Sequence, residues 1–256
     1  MPRYFIEVAY KGTNYAGFQI QKNANTIQAE LEKAMSIKFG AALQLTGSSR
    51  TDAGVHALQN YFHFDVGENH FPGQDEKTGG GFLQQAKYSL NALLPDDIAV
   101  KRIFRVEDDL HCRYDAVSRQ YQYYIYSSKN PFRKDVAYYY PYPTDMSSLN
   151  NAAATVLKTK DFGSFSKRNT QVNNFLCTIY RSEWKMENDF LVYEVMANRF
   201  LRGMVKGLVG TMLKVGTGKI STSDFEDIIK SGDCARADFS VSSKGLFLIN
   251  VAYKEF

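Results

Sequence analysis

The order in which short alternating strands and amphipathic stretches follow one another constrains this chain most. Residues 3–10, RYFIEVAY, alternate with period two and are rich in aromatic and β-branched types, which predicts a strand. A helix is expected from Asn25 or Thr26 to about Phe39. There Ile27, Leu31, Ala34 and Met35 share a face, Asn25 with Gln28 can cap the start, and Gly40 can end it. Strands at 42–48 and 58–65, a helix from Phe82 to Leu93 stopped by Pro95, and a strand at 98–105 complete a β, α, β, β, α, β order, the ferredoxin-like one. The second half offers a strand at 118–126 and a Pro- and Tyr-rich connection at 130–144. A helix follows at about 145–157, with Leu149, Ala153, Val156 and Leu157 inward. A loop at 161–169, strands near 175–186 and 190–198, helices at 199–215 and 223–231 and a strand at 246–253 close the chain. The element order recurs without a sequence repeat, and alternating strands with non-local pairing predict an α+β fold. The Gly-rich stretch at 67–81, GENHFPGQDEKTGGG, reads as an exposed loop.

Several function classes are disfavoured. No apolar run approaches the roughly 18 residues that a membrane span needs, and residues 1–8 carry no signal-peptide core, so a cytoplasmic protein is expected. Cys112, Cys177 and Cys234 are scattered, and the histidines at 56, 63, 70 and 111 form no HxH or HExxH pattern, so neither disulfides nor a metal is expected. There is no GxxxxGK[ST] or strand-linked GxGxxG, no HxE with a downstream PCxxC, and no GxSxG. A net charge of +4 and 14% aromatic residues, with 17 Tyr, suit an anionic partner whose bases stack on aromatic side chains.

The most chemistry-rich stretch is Gly47–His56, GSSRTDAGVH, bracketed by apolar strands. It reads either as a tight turn with an Asx hydrogen bond or as a ligand-facing loop. On an extended chain Arg50 and Asp52 would share a face. In the helix expected at 199–215, Arg199, Arg202 and Lys206 fall at i, i+3 and i+7. Cations near a helix N-terminus are disfavoured, so an anion, a carboxylate partner or a solvated face would explain them. Tyr121 lies beside Arg119 in an aromatic strand, and Lys167 with Arg168 form a small basic patch.

The block Ser49–His56 is similar to the signature of the TruA-type tRNA pseudouridine synthases. Further blocks follow in the family's order: 26–34, 90–100, 111–114 (HCRY), 119–121 (RQY), 161–165 (DFGSF), 200–206 (FLRGMVK) and 245–248 (GLFL). The resemblance covers nearly the whole chain. It implies two ferredoxin-like subdomains, at 1–107 and 108–256, whose antiparallel sheets join into one extended sheet with the active cleft between them. It implies isomerisation of uridine to pseudouridine at positions 38, 39 and 40 in the tRNA anticodon arm, without cofactor, by a homodimer. By the same resemblance Asp52 is the catalytic aspartate, Tyr121 stacks on the target base, and Arg50 holds the flipped nucleotide. Lys206 is the basic partner of Asp52, and Leu246 walls the base from below. The family pattern carries Arg where this chain has Lys206, which removes bidentate geometry and makes Arg202, one turn earlier, a rival partner.

The reaction needs a carboxylate that attacks C1′ or uracil C6, or that assists loss of the C2′ proton. A silent tRNA-binding protein and a uracil-releasing glycosylase are the alternatives.

Overall fold

The computed structural model describes residues 1–67, 79–168 and 174–254. The alternation in RYFIEVAY produces β1 (Arg3–Tyr10), in which Tyr4, Phe5, Ile6, Val8 and Tyr10 are all buried, so both faces of the strand are covered. β1 runs antiparallel to β3 (His56–Asp65) on one side and β4 (Ile98–Val106) on the other, while β2 (Thr46–Gly47) pairs with β3. With α1 (Ile27–Phe39) between β1 and β2 and α2 (Gly79–Leu93) between β3 and β4, the order β4-β1-β3-β2 is the ferredoxin-like arrangement. Met1–Val117 and Asn250–Phe256 make up this unit. Residues 108–117 belong to it because Leu110 C=O accepts from Arg3 (3.1 Å) and Cys112 N–H donates to His63 Nδ1 (3.2 Å).

Ser118–Ile249 form the second unit. Its β5 (Ser118–Tyr126) lies between β8 (Phe190–Ala197) and the start of β9 (Leu246–Ala252), with β7 (Ile179–Glu187) beyond β8. The order β9-β5-β8-β7 repeats that of the first unit. β7 and β8 are joined by Asn188 and Asp189, both left-handed (φ 47° and 64°), as a two-residue type I′ hairpin requires. Asn150 of α3 (Met146–Lys158) bonds both Trp184 N–H (2.9 Å) and Trp184 C=O (3.1 Å), which fixes that helix to β7. The Trp184 indole N–H donates to Met212 Sδ (3.5 Å) of α4 (Met204–Gly216), so α4 packs against the same sheet face. A capping box at Ser221 and Asp224 starts α5 (Thr222–Ser231). The class is α+β: nine strands, mostly antiparallel, and five α-helices among the described residues.

Several elements differ from the sequence expectation. α4 begins at Met204 rather than at 199, because Gly203 is left-handed (φ 74°) and sets the N-terminus. Arg199 and Arg202 therefore precede the helix, and the three-cation stripe does not exist as a helical face. The strand expected at 42–48 shortens to Thr46–Gly47. The start of α1 is capped by Thr26, whose Oγ1 accepts from Ala29 N–H (3.3 Å), while Gln28 turns instead to Glu32 and the Leu45 carbonyl. Gly40 ends α1 as expected, left-handed at φ 66°. Leu157 is exposed, whereas Leu149, Ala153 and Val156 are buried. The 130–144 connection contains β6 (Tyr138–Tyr139), parallel to β5. Of the stretch read as an exposed loop at 67–81, residues 68–78 lie outside the described residues, and α2 already starts at Gly79.

Candidate active site

Arg50 and Asp52 belong to the first unit, in the loop between β2 and β3. The loop ends in a turn: Val55 N–H donates to Asp52 C=O (3.1 Å), and Gly54 at the third position has φ 78°. With Ala53 absent from the positive-φ residues, this is a type II turn, for which glycine is the fitting residue. Phe18 N–H donates to Thr51 C=O (3.1 Å) and Gly54 N–H to Tyr15 C=O (3.3 Å), so the loop also lies along residues 15–18. That approach is close: a Cβ on Gly12 would come within 2.0 Å of Val55 O. The segment is thus a tight turn, closed by a backbone hydrogen bond and not by the Asx bond that the sequence suggests.

The loop sorts its side chains sharply. Ser48, Ser49, Thr51, Val55 and His56 are buried, whereas Arg50 and Asp52 are exposed. Among the described residues of this unit, neither Arg50 nor Asp52 bonds to another side chain. Beneath them, Asn60 (0% exposed) donates from Nδ2 to Tyr10 Oη (3.0 Å) and to Ser49 C=O (3.1 Å). Its Oδ1 accepts from Ser48 Oγ (2.7 Å) and from Tyr61 N–H (3.0 Å). Tyr10 Oη in turn lies 2.8 Å from Thr51 Oγ1. Burial pushes the Tyr10 phenol up to about 12, partly offset by Thr51 and Asn60, so it stays protonated as a donor.

Residues 111–113 hold the loop's entry. Cys112 Sγ–H donates to Thr46 C=O (3.0 Å), and Arg113 donates to Gly47 C=O from both Nε (3.1 Å) and Nη2 (2.9 Å). His63, His111 and Cys112 bring ligand-type atoms within 4.8 Å of one another, a cluster that sequence spacing did not suggest. In each histidine Nδ1 accepts a backbone N–H, from Cys112 (3.2 Å) in His63 and from Arg113 (3.1 Å) in His111. The ring proton then sits on Nε2, the only other nitrogen that could bind a cation. Burial, then Arg3, His111 and Arg113, bring His63 down to about 4. The donor set fits a clamp between residues 111–113 and β3, not a cation site.

The remaining expected residues lie in the second unit. Tyr121 is buried on β5, opposite Val195, with its ring edge-on to Phe200 (5.0 Å between centroids, 84°). Lys206 stands in the first turn of α4, half-buried, with Nζ donating to Ser243 Oγ (3.4 Å). Ser243 belongs to a short 3-10 turn that delivers Leu246, buried, into β9. Gly245 closes that turn against β5, where a Cβ would come within 2.7 Å of Tyr124 O. Lys206 and Leu246 are therefore fixed through one turn, and Tyr121 through the residues that enter α4. Arg202 is exposed before the helix, its C=O accepting from Lys167 N–H (3.0 Å).

Two ferredoxin-like units, the first carrying a pinned loop with an exposed carboxylate, define an α+β protein of ferredoxin-like architecture. The model of the tRNA pseudouridine synthase family matches residues 6–115 and 152–254, and the chain belongs to that family of isomerases. It is 41% identical over 254 residues to tRNA pseudouridine synthase A of Bacteroides fragilis, covering 99% of this chain and 97% of that one. Identity is 40% to the protein of that name from Parabacteroides distasonis, over 100% and 97% of the two chains. For the Staphylococcus aureus protein it is 36%, over 99% and 92%.

Proposed function

We propose that this protein converts uridine to pseudouridine at positions 38, 39 and 40 of the tRNA anticodon arm, with Asp52 as its catalytic carboxylate. The observation that carries the reading is the contrast within residues 47–56. The backbone is held by buried hydrogen bonds, while Asp52 and Arg50 point their charges outward and commit them to no neighbour in their unit. A carboxylate kept rigid and available is what attack or proton abstraction on a bound nucleotide needs.

In the reaction the C1′–N1 bond of the nucleotide breaks with its electron pair on N1, the uracil turns without leaving, a C1′–C5 bond forms, the C5 proton is lost to water and N1 takes up a proton. Asp52 attacks C1′ or C6, or takes the C2′ proton after cleavage. The target base is flipped out at a cost of a few kcal/mol. Stacking on Tyr121 returns roughly 1–3 kcal/mol of that. Leu246 walls the base, Arg50 holds the flipped nucleotide, and Lys206 supplies a cation at the reacting nucleotide. Lys206 is a better candidate for that role than Arg202, because Ser243 orients its ammonium while Arg202 lies outside the helix. No step calls for a cofactor. The reading includes a homodimer that acts on tRNA in the cytoplasm, and 31 Lys and Arg against 27 Asp and Glu favour a polyanionic substrate.

The test uses tRNA tritiated at uracil C5. The wild-type protein releases tritium and leaves the base attached. Asp52→Asn releases none but binds tRNA with nearly unchanged affinity. Free uracil would identify a glycosylase, binding without tritium release a silent binder, and turnover by Asp52→Asn would remove the carboxylate from its assigned role.

A further inference from the structure

We propose that Asn60, acting through Tyr10 and Thr51, is a positioning residue that sets the backbone on both sides of Arg50 and thereby aims Asp52. The proposal rests on the assignment of Asp52 as the catalytic carboxylate and adds residues that do not touch the substrate. It starts from hydrogen-bond capacity. An asparagine side chain has two N–H donors and two carbonyl lone pairs. In Asn60 all four are used: donation to Tyr10 Oη and Ser49 C=O, acceptance from Ser48 Oγ–H and Tyr61 N–H. The backbone N–H of Tyr61 can only donate, which fixes which end of the amide is oxygen. The amide orientation then fixes the next link. Tyr10 Oη accepts from Asn60, so the phenol directs its one proton at Thr51 Oγ1, 2.8 Å away.

One buried side chain therefore reaches residues 48, 49 and 51 together. These flank Arg50 and immediately precede Asp52, and all three are buried while Arg50 and Asp52 are exposed. A loop without such a tie would let its functional groups sample many geometries, and a displacement of about 1 Å can cost about a hundredfold in rate. The same network is directional. Replacing the Asn60 amide by a carboxylate leaves nothing to donate to Ser49 C=O, so that contact becomes repulsive, and it draws the Tyr10 proton to the carboxylate and away from Thr51 Oγ1.

Tyr10→Phe, Thr51→Val, their double variant and Asn60→Asp test this by single-turnover tritium release at saturating tRNA, per folded molecule, beside tRNA binding. Tyr10→Phe keeps the ring and its packing, so it remains informative if Asn60→Asp fails to fold. The expected result is a fall in rate of about ten- to hundredfold for Tyr10→Phe and Asn60→Asp, with tRNA affinity changed less than about threefold. The double variant is expected to be no slower than Tyr10→Phe alone, because both break one relay. Unchanged rates in folded Tyr10→Phe and Asn60→Asp would overturn the proposal, as would losses confined to binding or additive effects in the double variant. Asp52→Asn, run alongside, separates the two readings. If it turns over, the assignment of Asp52 fails. If it is inactive while the other variants keep full rate, only the positioning role fails.

Discussion

Lys206 falls in the block FLRGMVK, whose resemblance to the family implies arginine there, so its chemistry has to be argued from this chain alone. A lysine offers a compact charge on a flexible stem and cannot grip a carboxylate or phosphate with two parallel bonds. Here the stem is confined, since Lys206 is half-buried in the first turn of α4 and its ammonium donates to Ser243 Oγ at 3.4 Å. If Lys206 serves as the cation at the reacting nucleotide, removing its charge matters more than changing its shape. Lys206→Met should slow single-turnover pseudouridine formation by about a hundredfold, whereas Lys206→Arg should stay within about tenfold of wild type. Full activity in Lys206→Met would remove the residue from the site. At this scale the sequence was uneven. Arg50 and Asp52 stood out because a short motif carries them together, and Lys206 because a resembling block does. Asn60 did not stand out, because its partner Tyr10 lies 50 residues away and no local pattern marks the contact. The cluster of His63, His111 and Cys112 escaped for the same reason: two distant segments create it.

The elements that pattern alone places best are those whose pattern is uninterrupted. β1 and β5 occupy the residues that alternation predicts, and α3 and α5 begin at capping side chains, Asp145 and Ser221. The expected start of α4, at 199, lies five residues before the observed one, because the pattern of residues 199–206 runs on across Gly203. A glycine at φ 74° sits there, and the chain enters the helix through it. The basic character of residues 199–206 thus comes from a turn followed by a helix, not from a helical stripe. β2 is shorter than the strand expected at 42–48 for a related reason. Only Thr46 and Gly47 join the ladder, and their carbonyls are taken by Cys112 and Arg113, which alternation within 42–48 cannot reveal. Gly203 gives a test of this boundary. Alanine there would hold a left-handed backbone at a cost of roughly 1–2 kcal/mol, and its Cβ would meet Lys167 Cγ at 3.1 Å, a flexible neighbour. Urea unfolding of Gly203→Ala should therefore show a stability loss of about that size with an unchanged m-value. An unchanged midpoint would mean that the left-handed conformation does not set the start of α4.

Over the whole chain, the His63 clamp ties stability to pH in a direction that can be worked out. His63 is buried among Arg3, His111 and Arg113, with Asp65 the only opposing charge among these neighbours, and its pKa falls from 6.5 to about 4. His111 is lowered as well, by burial and then by Arg113. An unfolded chain would protonate such histidines near 6.5, while the folded chain resists until far lower pH. Between those values the unfolded state binds more protons, so stability is complete above about pH 6.5 and is lost as pH falls towards 4. For His63 alone the full effect is at most ~3 kcal/mol. Carboxylates also titrate near the lower end of this window, so the informative quantity is the difference between two proteins. His63→Asn keeps an acceptor for Cys112 N–H but has nothing to protonate. It should be less stable than wild type at pH 7, through lost ring packing against Phe5 and His111, yet lose less further stability on going from pH 6.5 to pH 4. Chemical unfolding at a series of pH values would measure both slopes. Parallel curves for the two proteins would show that the His63 ring is not excluded from protonation in the fold, and with that the clamp's fixed tautomer would fall.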